Sequence, residues 1–451
     1  MSRLLPLPPL AALVSLLATA PSAAQQRIEY DDYRLDNGLR VILVEDHSVP
    51  VVTIDLWYNV GSGSERPGRG GFAHLFEHMM YQGSANVQKS EMLQLVERAG
   101  GQMNATPSED RTLYYQTLPS NRLNLGLWLE ADRMRSLAVT QENLDNQREA
   151  VKEERRMRLD NQPYAWALAE APYLTYDSTT CFPYAHSVIG SMEDLEAAEV
   201  QDVQDFFDTY YAPNNATLTI VGDLDPSEAR GFIQQYFGDI SAGATPERPS
   251  CEWSVGTEPQ EIIHPDPLAN LPLVAVAYRF PAHDDVDTPA LSLLERILGS
   301  GESSRLNRAL VREKQTALQA QTLTMPRRLS GTMMAIAIAN QGASVDTLKA
   351  QLHGEIARVL EEGVTAEELQ KAKNAYRSSN VFGRQTTFQV AQQIQHFVHF
   401  HESLEDIHDD LDKYLSVTRE DVLRAARKYL AKENSYTFVL VPPSSAQRPR
   451  T

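Results

Sequence analysis

Cysteine is almost missing from this sequence: Cys181 and Cys251 are the only two in 451 residues. That excludes a disulfide-dense scaffold, and neither cysteine has a metal-like spacing. Whether the two pair or stay as thiols is left open by the sequence. Positive charge is in deficit, with 41 Lys and Arg against 60 Asp and Glu and a net charge of −19. A nucleic-acid partner is excluded on that balance. Long apolar runs are also absent after the first residues, so no membrane-spanning helix is expected. The opening stretch, Arg3 followed by Leu4 to Ala20, is interrupted by Pro6, Pro8 and Pro9 and ends in Ser22-Ala23-Ala24. It reads as a cleavable signal peptide over 1–24, which places the mature chain in the periplasm. No cysteine follows it to carry a lipid anchor.

The length suits two domains of about 200 residues each. A hydrophobic fraction of 42% supports full cores in both. The chemistry concentrates in Gly70-Gly71-Phe72-Ala73-His74-Leu75-Phe76-Glu77-His78-Met79-Met80. On a helix, positions i, i+3 and i+4 share one face, so His74, Glu77 and His78 point into one space. Two imidazoles so placed are a nitrogen ligand pair for zinc. Glu77 is placed as a general base toward water. His-x-x-Glu-His is the inverted form of the zinc-peptidase motif. A solvated helical face is the bland alternative, and the surrounding Phe72, Leu75, Phe76, Met79 and Met80 argue against it.

Turn and strand signals predict a hairpin over Tyr33 to Asp46 and a strand over Val51 to Tyr58. Helices are expected over Ser90 to Ala99, capped by Ser90, and over Leu123 to Ser136, Gln141 to Leu159 and Val200 to Tyr211. Strands are expected at Thr112 to Leu118 and Ala216 to Val221. The second half then repeats the first. The motif helix has a shadow at Leu291 to Leu298, 218 residues later, and Thr140 to Leu144 has one at Thr365 to Leu369, 225 later. Val203 to Tyr210 matches Val422 to Tyr429 at an offset of 219. Ordered matches at a nearly constant offset indicate duplication. In the second copy Ser292 and Arg296 replace the two histidines, so that copy cannot bind zinc there. The fold class is therefore α+β: two homologous sandwich domains, each a mostly antiparallel sheet covered by helices. The expected division is 25–242 for a zinc-binding domain, 243–262 for a linker, 263–445 for a metal-free domain and 446–451 for a tail.

A catalytic zinc needs a third protein ligand. The pattern Gly-x-Ala-His-x-x-Glu-His-Met, followed 75 residues beyond His78 by a glutamate in Val151-Lys152-Glu153-Glu154-Arg155-Arg156, resembles the pitrilysin/insulinase peptidases. Gly101-x-x-Asn104-Ala105, Pro183-Tyr184 and Tyr211-x-Pro213-Asn214-Asn215 extend the resemblance over nearly the whole mature chain. It implies Glu154 as the third ligand, with Glu153 its competitor, and one zinc per chain. The equivalent position in the second copy is Ser379. It also implies a peptide substrate in extended conformation, added to a sheet edge at Asn104, Ala105 and Thr106. An ordinary turn before a strand is the alternative for that stretch.

Two departures stand out. Gln147 occupies a position two helical turns before Glu154 where many relatives carry glutamate, so it supports His78 or the metal by a hydrogen bond without adding charge. In the second half, relatives hold the substrate backbone with an Arg and a Tyr. Here Arg312 is kept and Leu318 stands where the Tyr would be. The resemblance then implies a zinc endopeptidase that works as a heterodimer with a metal-free homologue. A homodimer, in which Arg312 alone suffices or Thr316 supplies the hydroxyl, and a non-catalytic scaffold subunit are the alternatives. His396, His399 and His401 have spacings that do not share a helix face, and they read as part of a packed aromatic helix.

Overall fold

The central strands form where β-branched and aromatic residues run together, because such side chains fit a pleated surface buried on both faces. Val51–Tyr58 is one such run, and all but its first residue are buried. The computed structural model describes residues 27–255, 258–401 and 403–443. The signal peptide read over 1–24 and the tail over 446–451 lie outside the described residues.

In chain order the first half comprises β1 (Asp31–Arg34), β2 (Arg40–Glu45), β3 (Val51–Tyr58), α1 (Phe72–Met79), α2 (Glu91–Arg98), β4 (Gln102–Pro107) and β5 (Thr112–Pro119). It continues with α3 (Leu123–Ser136), α4 (Gln141–Arg155), α5 (Ala165–Ala169), α6 (Met192–Glu196), α7 (Val200–Tyr210), β6 (Ala216–Gly222) and α8 (Pro226–Phe237). The second half comprises β7 (Gln260–Pro265), β8 (Leu273–Phe280), α9 (Thr288–Gly299), β9 (Ala317–Met325), β10 (Gly331–Ala339), α10 (Val345–Glu362) and α11 (Ala366–Phe382). It ends with α12 (Thr387–His401), α13 (Asp410–Ser416), α14 (Arg419–Tyr429) and β11 (Tyr436–Val441).

The duplication is visible in topology. One sheet runs β1-β2-β6-β3-β5-β4 and the other β7-β11-β8-β10-β9. Apart from the added β1 the two orders superimpose. Each sheet has one parallel pair, β2 with β6 and β7 with β11, at the same place. All other pairings are antiparallel.

One face of the first sheet packs against α1, α3, α4, α7 and α8 through residues such as Leu56, Leu75, Phe76, Leu127, Leu144, Phe207 and Ile233. The other face is covered from the second half: Ile42, Val44 and Val221 pack against Ala391, Ile394 and Phe397 of α12. The reverse also holds. Ala167 of α5 and Ala171 just beyond it pack against Ala275, Met334 and Phe438 of the second sheet. The halves have exchanged helices. A polar seam accompanies the apolar contact, with Gln395 Nε2 donating to the Asp55 and Thr217 carbonyls at 2.9 and 2.8 Å.

Several local expectations change. Ser90 takes a left-handed conformation (φ 61°) and its side chain does not cap α2. The Glu91 carboxylate instead accepts from the Gln88 N–H at 2.8 Å. The stretch 102–107 is a strand, β4, at the edge of the sheet, the edge that the resemblance implies and not the turn that is its alternative. The helix read to Leu159 is α-helical only to Arg155 and continues as a wider π turn over Arg156–Asp160. Strand β7 opens at Gln260, inside the segment read as linker. Cys181 and Cys251 are joined by a disulfide, which ties that segment back to the first half.

Candidate active site

Helix α1 starts at an unusually tight backbone crossing. Gly71 has φ 89° and Gly190 has φ 74°, and a Cβ on Gly190 would lie 2.4 Å from the Gly70 carbonyl oxygen. Only glycine fits both demands. The first N–H groups of the helix are not capped by a neighbouring side chain but by Glu65, which is buried. Its oxygens accept from the Gly71 N–H at 2.9 Å and the Ala73 N–H at 2.7 Å. A carboxylate there also complements the positive end of the helix dipole. His186 braces Glu65 through Nε2 at 3.0 Å, and its Nδ1 faces the Phe182 carbonyl at 2.9 Å. Burial pushes the Glu65 carboxyl up, against the opposing pull of His186. Burial also disfavours a charged His186, but Glu65 outweighs it and raises the ring's pKa. Neither residue was found from the sequence. The one available signal was an acidic residue just ahead of the glycine run.

The buried side of α1 carries Phe72, Leu75, Phe76 and Met79. His74 is buried as well, while Glu77 and His78 are half-buried. The two imidazoles lie nearly perpendicular, their centroids 4.9 Å apart. Helix α4 brings Glu154 to them: its Oε2 is 3.2 Å from His78 Nε2 and 3.6 Å from His74 Nε2. The π turn that follows places Arg158 2.8 Å from the other Glu154 oxygen. Glu153 points away and pairs with Arg156 at 3.0 Å on the surface. Gln147, two turns earlier, has its Oε1 3.3 Å from His78 Nδ1. Glu77 Oε2 is 3.8 Å from His78 Nε2.

Either carboxylate is close enough to complete a ligand set, since His74, Glu77 and His78 also converge. Adjacent ligands on a zinc shell of about 2.1 Å radius are about 3.4 Å apart. Glu154 meets that spacing toward both Nε2 atoms, whereas Glu77 approaches only His78. The donor set of two imidazoles and a carboxylate is one that zinc accepts in peptidases. Burial and the His78 charge hold His74 down to about 4, so its ring is a neutral donor. The His78 hydrogen bond and the nearby positive groups hold Glu154 below the usual carboxylate range despite its burial. Burial pushes Glu77 up, with His78 opposing and Glu154 adding to the rise.

Strand β4 pairs only with β5, which leaves its other side open. Asn104 and Thr106 are exposed and Ala105 half-buried. On the open side the Ala105 N–H donates to the Asn104 side-chain oxygen at 2.9 Å. Its carbonyl accepts from the Thr106 hydroxyl at 2.8 Å. Arg312 lies on a π turn, Asn307–Glu313, and pairs with Glu302. Among the described residues no hydrogen bond or ion pair joins it to α1. Leu318 is 60% exposed on the edge strand β9. The Thr316 hydroxyl is committed to the Gln351 side chain, so it is not free to replace a tyrosine.

In the second half α9 occupies the place of α1. Arg296 there lies over the Tyr376 ring, 5.8 Å from its centroid, and Glu295 accepts from the Thr322 hydroxyl at 2.5 Å. A packed, hydrogen-bonded cluster replaces the histidine pair. The histidines of α12 divide in a way their spacing did not indicate. His399 faces Asn59 at 3.1 Å, but His396 and His401 meet His283 from another segment.

A duplicated α+β chain with His-x-x-Glu-His on one helix of the first copy defines a class, the inverted-motif zinc peptidases. Residues 40–174 match the insulinase model of peptidase family M16, and residues 197–376 match the model of the M16 inactive domain. The chain belongs to this insulinase, or pitrilysin, family. It is 28% identical over 436 residues to the zinc protease PqqE of Helicobacter pylori, covering 95% of this chain and 97% of that protein. It is 23% identical to the zinc protease YmxG of Bacillus subtilis, covering 91% and 98%. The crystal structure of a protease from Helicobacter pylori superimposes with a TM-score of 0.87 at 27% identity, over 92% of this chain and all of that one. The periplasmic protease PqqL of Escherichia coli has the same fold over 94% of this chain and 49% of its own length, with a TM-score of 0.76 at 20% identity. No helix among the described residues is long and apolar enough to cross a membrane.

Proposed function

We propose that this chain is a periplasmic zinc endopeptidase that cleaves extended, unfolded peptides. The observation that carries the reading is the approach of Glu154 Oε2 to both His74 Nε2 and His78 Nε2, with Glu77 beside them on the same helix. His74, His78 and Glu154 hold the zinc, one per chain. The bound ion supplies Lewis-acid polarisation of the scissile carbonyl and of the attacking water. Glu77 takes the proton from that water and delivers it to the leaving amine. Gln147 keeps the His78 ring oriented by accepting from Nδ1.

The substrate lies along β4 as an added strand. The outward N–H and carbonyl of Ala105 are held by the side chains of Asn104 and Thr106, which yield them to a peptide backbone. Main-chain pairing of this kind gives affinity with little sequence selectivity. Thr106 serves the same edge, and Arg312 contributes from the second half. Neither the apolar Leu318 nor the committed Thr316 supplies a hydroxyl donor to work with Arg312. A metal-free homologous subunit that supplies the missing donor completes the site, giving a heterodimer.

The test is to purify the chain from its host, measure zinc by elemental analysis, and assay an unstructured peptide before and after chelation. Zinc-dependent cleavage supports the peptidase, and zinc-replete chain without cleavage supports a scaffold. Full activity of the isolated chain, unchanged by any homologue from the host, argues for a homodimer in place of the heterodimer.

A further inference from the structure

Three histidines outside the H-x-x-E-H helix converge on one point. His283 lies in the loop after β8, and His396 and His401 lie on the last turns of α12. Their ligating nitrogens all lie within 4.8 Å of one another. The His283 ring is 4.5 Å from that of His396 and 5.5 Å from that of His401, centroid to centroid. The backbone N–H of His283 donates to the Arg327 carbonyl at 3.1 Å, which fixes the loop.

Aromatic packing alone would leave these rings with ordinary partners. Phe400 does stack on His283 and Phe397 on His401. Yet none of the three imidazoles has a hydrogen-bond partner among the described residues, and His283 Nδ1 is buried without one. His186 and His353 each face an oxygen within 3.1 Å, and His399 does so through Nδ1 while its Nε2 is buried without a partner. A buried ring nitrogen left unpaired is costly, and a metal ion satisfies three at once. The rings also suit a metal electronically. Burial holds His283 down to about 4, with the His401 charge adding, and it lowers His396 and His401 as well. These shifts favour the neutral imidazole, the form that ligates a metal. Asp284, Asp406 and Asp410 lie near His401 and favour a cation; Lys413 near His401 and Arg111 near His396 oppose it.

We propose that His283, His396 and His401 form a second metal site, for a divalent transition ion of the kind imidazole prefers, zinc first. Three imidazoles suit zinc, nickel and copper(II). A tetrahedral shell at about 2.1 Å draws the nitrogens to about 3.4 Å apart. Side-chain rotation of the half-buried His396 and His401 supplies that closure, and their exposed edges give the ion a way in. The site clips the end of α12 to the β8–α9 loop. Because α12 covers the first sheet, the ion fastens the packing between the halves. Helix α12 itself carries no carboxylate among its residues Thr387–His401 to act as a base, and the role assigned to the site is structural.

The test uses the full-length chain with His74→Ala and His78→Ala, which removes the imidazoles of the first site. After chelation and dialysis against zinc alone, this background is expected to retain about one zinc per chain. Its thermal midpoint is expected to fall on chelation and recover with zinc. Adding His401→Gln, at a half-buried position, is expected to abolish both the zinc and its effect on the midpoint. His283→Gln serves as the second variant should His401→Gln fail to fold. Absence of zinc in the background chain overturns the site. So does zinc binding that survives both His401→Gln and His283→Gln.

Discussion

Arg327 of the second half is wholly buried, and its guanidinium donates to Glu109 of the first half at 2.7 Å. The rings of Tyr173, Tyr176 and Tyr184, all from the first half, surround it within 5.6 Å. Burial disfavours a charged Glu109, but Arg327 outweighs it and keeps the carboxyl below its usual range. Breaking a buried pair strands the surviving charge. Arg327→Met is therefore expected to destabilise the chain by about 3–5 kcal/mol. Chemical denaturation of variant and parent checks this. A loss under about 1 kcal/mol would show that the tyrosine cage, not the ion pair, holds the seam.

Glu77→Gln keeps the volume of the side chain and removes the base. Peptide turnover is expected to fall by about 10²–10⁴-fold, with zinc content unchanged. Steady-state kinetics and elemental analysis on the same preparation decide it. Turnover near that of the parent would remove Glu77 from the mechanism.

Glu154→Gln is expected to weaken zinc binding by well over tenfold, and Glu153→Gln to leave it as it was. Gln147→Ala, which releases His78 Nδ1, is expected to cost about 10–100-fold in zinc affinity. Competition with a chromophoric chelator gives the three constants. Zinc lost with Glu153→Gln alone would show that the wrong carboxylate has been assigned.

Ala105→Pro removes the outward N–H of β4 without touching the bonds to β5, because that N–H is held by Asn104 instead. Proline is tolerated at such an edge position. The expected result is a raised KM for peptides with a nearly unchanged thermal midpoint. An unchanged KM would take the substrate off this edge.

Asp55 gives a pH dependence away from the metal ligands. It is fully buried, accepts from Trp57 at 3.0 and 3.1 Å, and accepts from Gln392 of α12 at 2.7 Å. Burial pushes its carboxyl up to about 8, against those hydrogen bonds and the Arg111 charge, while Glu130 adds to the rise. Between about pH 4 and pH 8 the native state keeps a proton that the unfolded chain has lost. This group therefore makes stability fall as pH rises through that window, by at most about 1.4 kcal/mol per unit. Asp55→Asn is expected to flatten that slope, so that the variant gains on the parent most at pH 8. Parallel stability curves for the two proteins from pH 5 to 8 would contradict it.

The histidine helix was legible in the sequence because its information is local: a spacing of four and an apolar surround suffice to orient His74 and His78. The duplication was legible because three offsets agreed, and the two sheets repeat one strand order. Two features were hidden because they depend on residues far apart in the chain. Glu65 caps α1 across a glycine loop, and His186 braces it from more than a hundred residues away. His283 joins His396 and His401 across a similar distance, so a search along one helix could not collect them. At strand β4 the turn formers Gly101 and Asn104 left an ordinary turn as the alternative to a sheet edge, and its pairing with Tyr114 and Tyr115 draws it straight.

The exchange of helices has a consequence for how the molecule comes into being. The first sheet receives its outer cover, Ala391, Ile394 and Phe397, from residues synthesised near the end of the chain. A first half made without the second thus leaves Ile42, Val44 and Val221 uncovered until α12 arrives. A proteolytic nick between the halves is therefore expected not to yield two independent modules. The same arrangement gives the second copy a structural value to the first that does not depend on Ser292, Arg296 or Ser379, which stand where the first copy has its ligands: α12 is the cover it lends.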